Sequence, residues 1–203
     1  DEVPSRGLGD VYKRQDGISA AIRYELGPVK VNCVVQRGVN EHQIPKLVRK
    51  FRGTGVIVRF IEFMDVGSTN GWTEGQVVPT SEIIDFLSSE FDLTPLARKS
   101  ASDVASRWAH SDGSGEIGFI SSVSQPFCGD CVRARLSSDG KFYTCLFTTK
   151  GQDMSTLIRS GRETEDLTQS IEEVWSDRKD RYSEQRSSGS ISLPRVEMSY
   201  IGG

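Results

Sequence analysis

Three cysteines are spaced so that their thiolates can act together. Cys128 and Cys131 form a CxxC (Cys128-Gly129-Asp130-Cys131), and Cys145 follows after thirteen intervening residues. The two sulfurs of a CxxC can converge on one metal centre, and Gly129 lets the loop wrap it. A turn at Asp139–Gly140 folds the chain back so that Cys145 can reach the same place. Three thiolates are one short of the four that usually close a structural zinc site. They suit a 4Fe–4S cluster with three irons held by protein and the fourth open to a ligand, an arrangement that points to chemistry or substrate binding. A zinc site completed by Cys33, His42 or His110 is the competing reading of this spacing. A thioredoxin-like redox CxxC is a third, but it wants the motif at a helix N-terminus after a strand, and the flanks here read as loop and hairpin. Cys33 falls in phase with Val29, Val31 and Val35, the place of a small buried hydrophobe.

Arg133 and Arg135 lie just beyond the CxxC, two apart, so an extended backbone sends both side chains from one face. Each guanidinium can hold a pair of phosphate oxygens, which an ammonium cannot do in that fork geometry. Solvated strand charges are the plain alternative, and the neighbouring thiolates favour the binding role. Lys30 and Asn32 share the polar face of an otherwise apolar strand. Arg59 stands within the apolar run Val56–Met64 and so requires a carboxylate or a ligand; Glu62, three residues on, falls on the opposite strand face. Met64 by itself reads as core. Asp112, Glu116 and Asp130 suit turns and receive no acid–base role.

These residues need elements to position them. Ile18, Ala21 and Ile22 recur at helical spacing, ended by Gly27–Pro28. Val29–Gln36 alternates as a strand. A helix capped by Asn40 runs to about Arg52 with Ile44, Leu47, Val48 and Phe51 on one stripe, Gly53 and Gly55 break it, and Val56–Met64 is a second strand. That order predicts a βαβ unit with parallel strands. A further helix is expected from Thr80 to Phe91. After Pro95 the pattern changes to two hairpins, Val104–His110 with Glu116–Ser121 and Arg133–Leu136 with Phe142–Cys145. Helices follow near 153–160 and 165–177, then a polar, flexible stretch at 178–192. Residues 1–15 show no periodicity and read as a disordered or foreign leader.

With 203 residues, 36% hydrophobic and 26% charged, the chain has the balance of a soluble globular protein. A net charge of −3 speaks against a nucleic-acid partner. No apolar stretch is long enough for a membrane span, and no secretory pattern opens the sequence. Four cysteines without such a signal read as metal ligands or reactive thiols before disulfides.

Several runs resemble the molybdenum cofactor biosynthesis protein A family. They are Val29–Val35, Arg37-Gly38-Val39-Asn40-Glu41, Arg59–Gly67, Asn70-Gly71-Trp72, Gly115–Ser121, Phe127–Cys131 with Arg133–Ser137, Cys145-Leu146-Phe147, Asp180–Ser183 and the tail Met198–Gly203. The resemblance covers about residues 17–203, and the cysteine motif followed by Arg-Ala-Arg-Leu with a terminal Gly-Gly is its most specific part.

The resemblance implies an α/β chain: the C-terminal part of an incomplete (β/α) barrel at 16–97, then an appended iron–sulfur-binding region with hairpins and helices at 98–203. It implies radical S-adenosylmethionine chemistry that joins ribose C3′ of GTP to guanine C8, giving (8S)-3′,8-cyclo-7,8-dihydroguanosine 5′-triphosphate. A first 4Fe–4S cluster and S-adenosylmethionine generate the radical, and a second 4Fe–4S cluster binds the substrate. By motif, Cys128, Cys131 and Cys145 hold the second cluster, and Lys30, Arg133 and Arg135 contact GTP. Met64 lines the S-adenosylmethionine site, with Arg59, Gly202 and Gly203 also in the active site. A cytoplasmic location, a homodimer and delivery to the next molybdopterin enzyme, cyclic pyranopterin monophosphate synthase, belong to the same expectation. The family's CxxxCxxC is absent from this sequence, so a substrate-binding fragment inactive by itself is expected. The alternatives are a zinc-stabilised binding module, or the auxiliary-cluster region of another radical S-adenosylmethionine enzyme.

Overall fold

The computed structural model describes residues 8–67, 69–186, 196–198 and 200–201. Helix α1 spans Leu8–Arg23, so the element expected from Ile18 onward begins ten residues earlier, inside the stretch read as a leader. Strand β1 (Lys30–Val35) leads through a short 3-10 turn at Glu41–Gln43 into α2 (Ile44–Phe51) and β2 (Ile57–Glu62). The strands pair in parallel, Asn32 opposite Arg59, as the βαβ pattern required. Pro45 opens α2, where its missing N–H costs nothing. Asn40 does not cap the helix: its side chain accepts from Gln36 N at 2.9 Å and donates to the Val34 carbonyl at 2.8 Å, fastening the turn back onto β1. Gly53 and Gly55 end the connection at positive φ, where a Cβ would be strained.

Helix α3 (Thr80–Ser88) follows Pro79, and then come β3 (Leu93–Leu96), β4 (Ser106–His110) and β5 (Glu116–Ile120). The five strands form one mixed sheet in the order β1-β2-β5-β4-β3, with β5 parallel to β2 and the β3–β4–β5 meander antiparallel. The expected boundary at residues 97 and 98 thus falls between two strands of one sheet. Strand β3 contains Pro95, which marked a break in the sequence; an edge strand tolerates proline because its outer N–H has no partner to lose.

One face of the sheet carries the core. Val35, Val58, Phe60, Ile117 and Phe119 pack against Ile44 and Val48 of α2 and against Ile83 and Leu87 of α3. Cys33 packs at the edge of this cluster, as its phase predicted. A second sheet, β6 (Arg135–Leu136), β7 (Lys141–Tyr143) and β8 (Gln152–Asp153), is antiparallel throughout. Helices α4 (Ser155–Arg159), α5 (Thr164–Ser176) and α6 (Tyr182–Gln185) complete the described chain. No helix among the described residues is long and apolar enough to cross a membrane.

Candidate functional site

The face of the main sheet opposite the core carries polar side chains. Arg59 lies between Asn32 of β1 and Gly118 of β5 in register, and its Nε donates to Asn32 Oδ1 at 2.8 Å. The partner demanded by a charge in an apolar strand is an amide oxygen here. Glu62 faces the other way, as its parity required. A Cβ at Gly118 would stand 2.9 Å from Arg59 Cγ, so the glycine makes room for the arginine to lie across the sheet.

Glu62 instead fastens the loop that leads to the cysteines. Its carboxylate is buried. It accepts from Thr80 N at the start of α3 (2.8 Å), from Val123 N and Ser124 N (2.8 Å each) and from Ser124 Oγ (2.5 Å). Two residues on, Met64 is positioned by its neighbours: Asn70 Nδ2 donates to the Met64 carbonyl at 3.0 Å, and the Trp72 indole to the Phe63 carbonyl at 2.8 Å.

A cavity of about 310 Å³ lies over this face. Cys128, Cys131, Cys145, Arg133 and Arg135 line it together with Asn32, Arg59 and Met64. Of the ten residues to which the resemblance gave a site role, seven therefore border one space, with Asn32 beside them. Lys30 does not: it lines an adjoining cavity of about 440 Å³, which shares Arg59 with the first. Gly202 and Gly203 lie outside the described residues. The tail that precedes them is docked, with Ile201 fully buried and the Tyr200 hydroxyl 2.6 Å from Asp139 Oδ2.

The three thiols differ in their surroundings. Burial pushes the Cys145 thiol up, and the nearby Asp180 and Cys128 charges add to this. Burial acts the same way on Cys131, but hydrogen bonds and charge from Arg133, with help from Arg178, outweigh it and hold that thiol below its ordinary value. Arg133 Nε stands 3.3 Å from the Cys131 sulfur while the guanidinium lies 5.0 Å over the Phe127 ring. Arg135 is half-buried, and burial, with repulsion from Arg133, weakens its hold on its proton. Burial raises the Cys33 thiol too, away from this site.

Among the described residues, no three His, Cys, Asp or Glu side chains are grouped closely enough to hold a metal ion. A tetrahedral zinc with Zn–S bonds near 2.3 Å needs its sulfurs gathered around one point. Cys128, Cys131 and Cys145 border the one cavity of about 310 Å³ without converging on a point. The candidate fourth zinc ligands are elsewhere: Cys33, His42 and His110 do not line the cavity, and His110 sits edge-on to Phe91 beneath the sheet at 5.7 Å.

Residues 178–186, expected to be flexible, contribute Arg178, Asp180 and Ser183 to the cavity wall. Sequence reasoning gave none of the three a site role. The available signal was the Asp180–Ser183 run among the family-like motifs. The acidic residues given no catalytic role stand beside arginines: Asp112 with Arg52, Glu116 with Arg107 at 2.8 Å, and Asp130 with Arg98 at 3.8 Å.

Comparison with known proteins settles the family. Residues 56–184 match the family described as Molybdenum Cofactor Synthesis C. The chain belongs to this family. Relatives named GTP 3′,8-cyclase include those of Xanthomonas campestris (48% identical over 98% of this chain and 58% of the relative), Staphylococcus epidermidis (45%, over 86% and 53%) and a Synechococcus species (41%, over 95% and 56%). The chain thus spans between half and three-fifths of the length of these relatives. The matched family region begins at β2 and ends in α6, so it takes in all three cavity cysteines and both adjacent arginines.

Proposed function

We propose that this chain is the substrate-binding portion of a GTP 3′,8-cyclase. The observation that carries the reading is the single cavity bordered by three cysteines and by Arg59, Arg133 and Arg135. Cys128, Cys131 and Cys145 are the residues that would hold a 4Fe–4S cluster, and with three protein thiolates such a cluster would offer a coordination site to the substrate base. Arg133 and Arg135 present forked donors to the triphosphate, and Arg59, steadied by Asn32, extends this positive surface towards Lys30. Met64 borders the side where S-adenosylmethionine is expected. Gly202 and Gly203, which follow the buried Ile201, are assigned to the site on the resemblance. The parallel β1–β2–β5 run is the part of the sheet that an incomplete (β/α) barrel would contain. Radical generation requires a CxxxCxxC that this sequence lacks, so the complete reaction needs residues beyond it. The product would then pass to the next molybdopterin enzyme.

The test is anaerobic reconstitution with iron and sulfide. The expected result is about one 4Fe–4S cluster per chain, brown with absorption near 400 nm, lost in Cys145→Ala and retained in Cys33→Ala. A colourless chain that takes up zinc, or equal iron loss in both variants, would overturn the assignment.

A further inference from the structure

The polar segment after α5 touches the CxxC turn, the Cys145 side of the cavity and the end of β2. Two backbone groups of the CxxC turn end on its side chains: Gly129 N donates to Glu184 Oε1 at 3.2 Å, and Arg178 Nη1 donates to the Cys131 carbonyl. On the Cys145 side, Thr144 Oγ1 donates to Asp180 Oδ2 at 2.5 Å, and the Phe147 ring stacks on Tyr182 at 4.3 Å. Arg178 and Asp180 are themselves 3.5 Å apart, and the Arg178 guanidinium lies 5.0 Å over Trp175 in the last turn of α5. The far end is anchored to the main sheet. The Tyr182 hydroxyl donates to Asp65 Oδ2 at 2.7 Å, and Arg186 meets Asp65 Oδ1 at 2.7 Å with Trp72, Phe147 and Tyr182 around its guanidinium. Asp65 follows Met64 and is buried.

We infer that residues 178–186 are a brace that sets the spacing between the CxxC turn and Cys145, with Arg178 as the positioning residue that joins the two. This rests on the cluster reading above and adds a role for residues that hold no iron. Arg178 is nearly buried, 12% exposed, so its charge is fixed beside the thiolates and little screened by water. Its fork reaches the Cys131 carbonyl while facing Asp180, which in turn holds Thr144. One guanidinium thereby links the residue carrying the second sulfur to the residue preceding the third. Contacts of this kind around a metal-binding loop typically account for 10- to 100-fold in metal affinity.

The experiment compares the reconstituted 203-residue chain with Arg178→Gln, Arg178→Lys and, as a control at an exposed position just before α5, Arg162→Gln. Iron content, the rate at which a chelator withdraws iron, and the midpoint potential of the cluster are measured. Arg178→Gln should load iron but lose it about 10- to 100-fold faster, with a more negative midpoint because a fixed positive charge has gone. Arg178→Lys should keep the midpoint close to the parent while still losing iron faster, since an ammonium keeps the charge but not the fork. Arg162→Gln should match the parent. If Arg178→Gln does not fold, Thr144→Val, which deletes only the hydroxyl on Asp180, carries the same expectation for the chelation rate. Parent-like chelation rate and midpoint in a folded Arg178→Gln would overturn the brace. A parent chain that takes up no iron–sulfur would overturn the cluster instead. The brace is then judged by amide exchange of the peptide around Gly129–Cys131, which should quicken at least about tenfold in Arg178→Gln.

Discussion

Replacing Glu62 with glutamine changes one oxygen to nitrogen and should still cost a large share of the fold's stability. The carboxylate accepts four hydrogen bonds in a buried place: Oε1 from Thr80 N and Ser124 Oγ, Oε2 from Val123 N and Ser124 N. A glutamine can point its oxygen at Val123 and Ser124 N, and the Ser124 hydroxyl can turn to accept from the new amide. Thr80 N then faces a donor, and no rotation cures that. The opposite orientation is worse, because two backbone N–H groups face the NH2. A buried donor left without a partner costs about 1–3 kcal/mol, and a charge-assisted bond replaced by a neutral one loses about 1 kcal/mol. With two bonds weakened and one orphan made, Glu62→Gln should lower unfolding free energy by about 3–5 kcal/mol, out of a typical total of about 5–15. Urea unfolding followed by tryptophan fluorescence reads this directly, and a shift in midpoint with an unchanged slope identifies a stability effect. A loss below about 1 kcal/mol would refute the claim that these four donors depend on a carboxylate.

On the proposed reading, in a chain extended to the length of its relatives, Arg133→Ala or Arg135→Ala should weaken GTP binding about 10- to 100-fold, the effect of one hydrogen bond to a charged group; calorimetric titration checks it, and guanosine, without phosphates, should lose far less. His110 supplies a pH dependence. Burial lowers its pKa, repulsion from Arg52 adds to this, and Asp112 opposes it only in part. The unfolded imidazole then binds a proton that the folded one rejects, so the contribution is complete above about pH 6.5 and is lost as pH falls below that value towards the depressed folded pKa. Urea midpoints across pH 5–8 should fall more steeply on the acid side in the parent than in His110→Phe, and parallel curves would refute it.

The βαβ unit was legible because its strands and helix each bury one face. Val31, Cys33 and Val35 alternate with Lys30, Asn32 and Val34, and Ile44, Leu47, Val48 and Phe51 form a stripe. The arginines beside the CxxC were legible from adjacency, and both reach the cavity even though β6 begins only at Arg135. The segment around Arg178 was not legible, since its order comes from partners scattered over Asp65, Gly129, Cys131, Thr144 and Phe147 rather than from its own periodicity. Strands β3 and β8 were missed for a related reason: four and two residues carry too little pattern, and their neighbours decide their pairing. The face of Lys30 was read correctly, but a strand face cannot say which of two adjoining cavities opens above it.

The link between Tyr182 and Asp65 joins residues 117 positions apart, and this bears on the order in which the site can be made. A ribosome synthesising the chain delivers Cys128 fifty residues before Arg178. At about 5–20 residues per second, that leaves about 3–10 s in which the CxxC turn exists without the side chains that end its hydrogen bonds. On the proposed cluster reading, cofactor delivery during that interval would meet a pair of thiols not yet tied by these contacts. Delivery afterwards meets a turn already tied to both Cys145's neighbours and the end of β2. The lateness of residues 178–186 in the chain thus gives this site a temporal boundary, after which the CxxC turn and the neighbour of Cys145 are held by contacts within the protein itself.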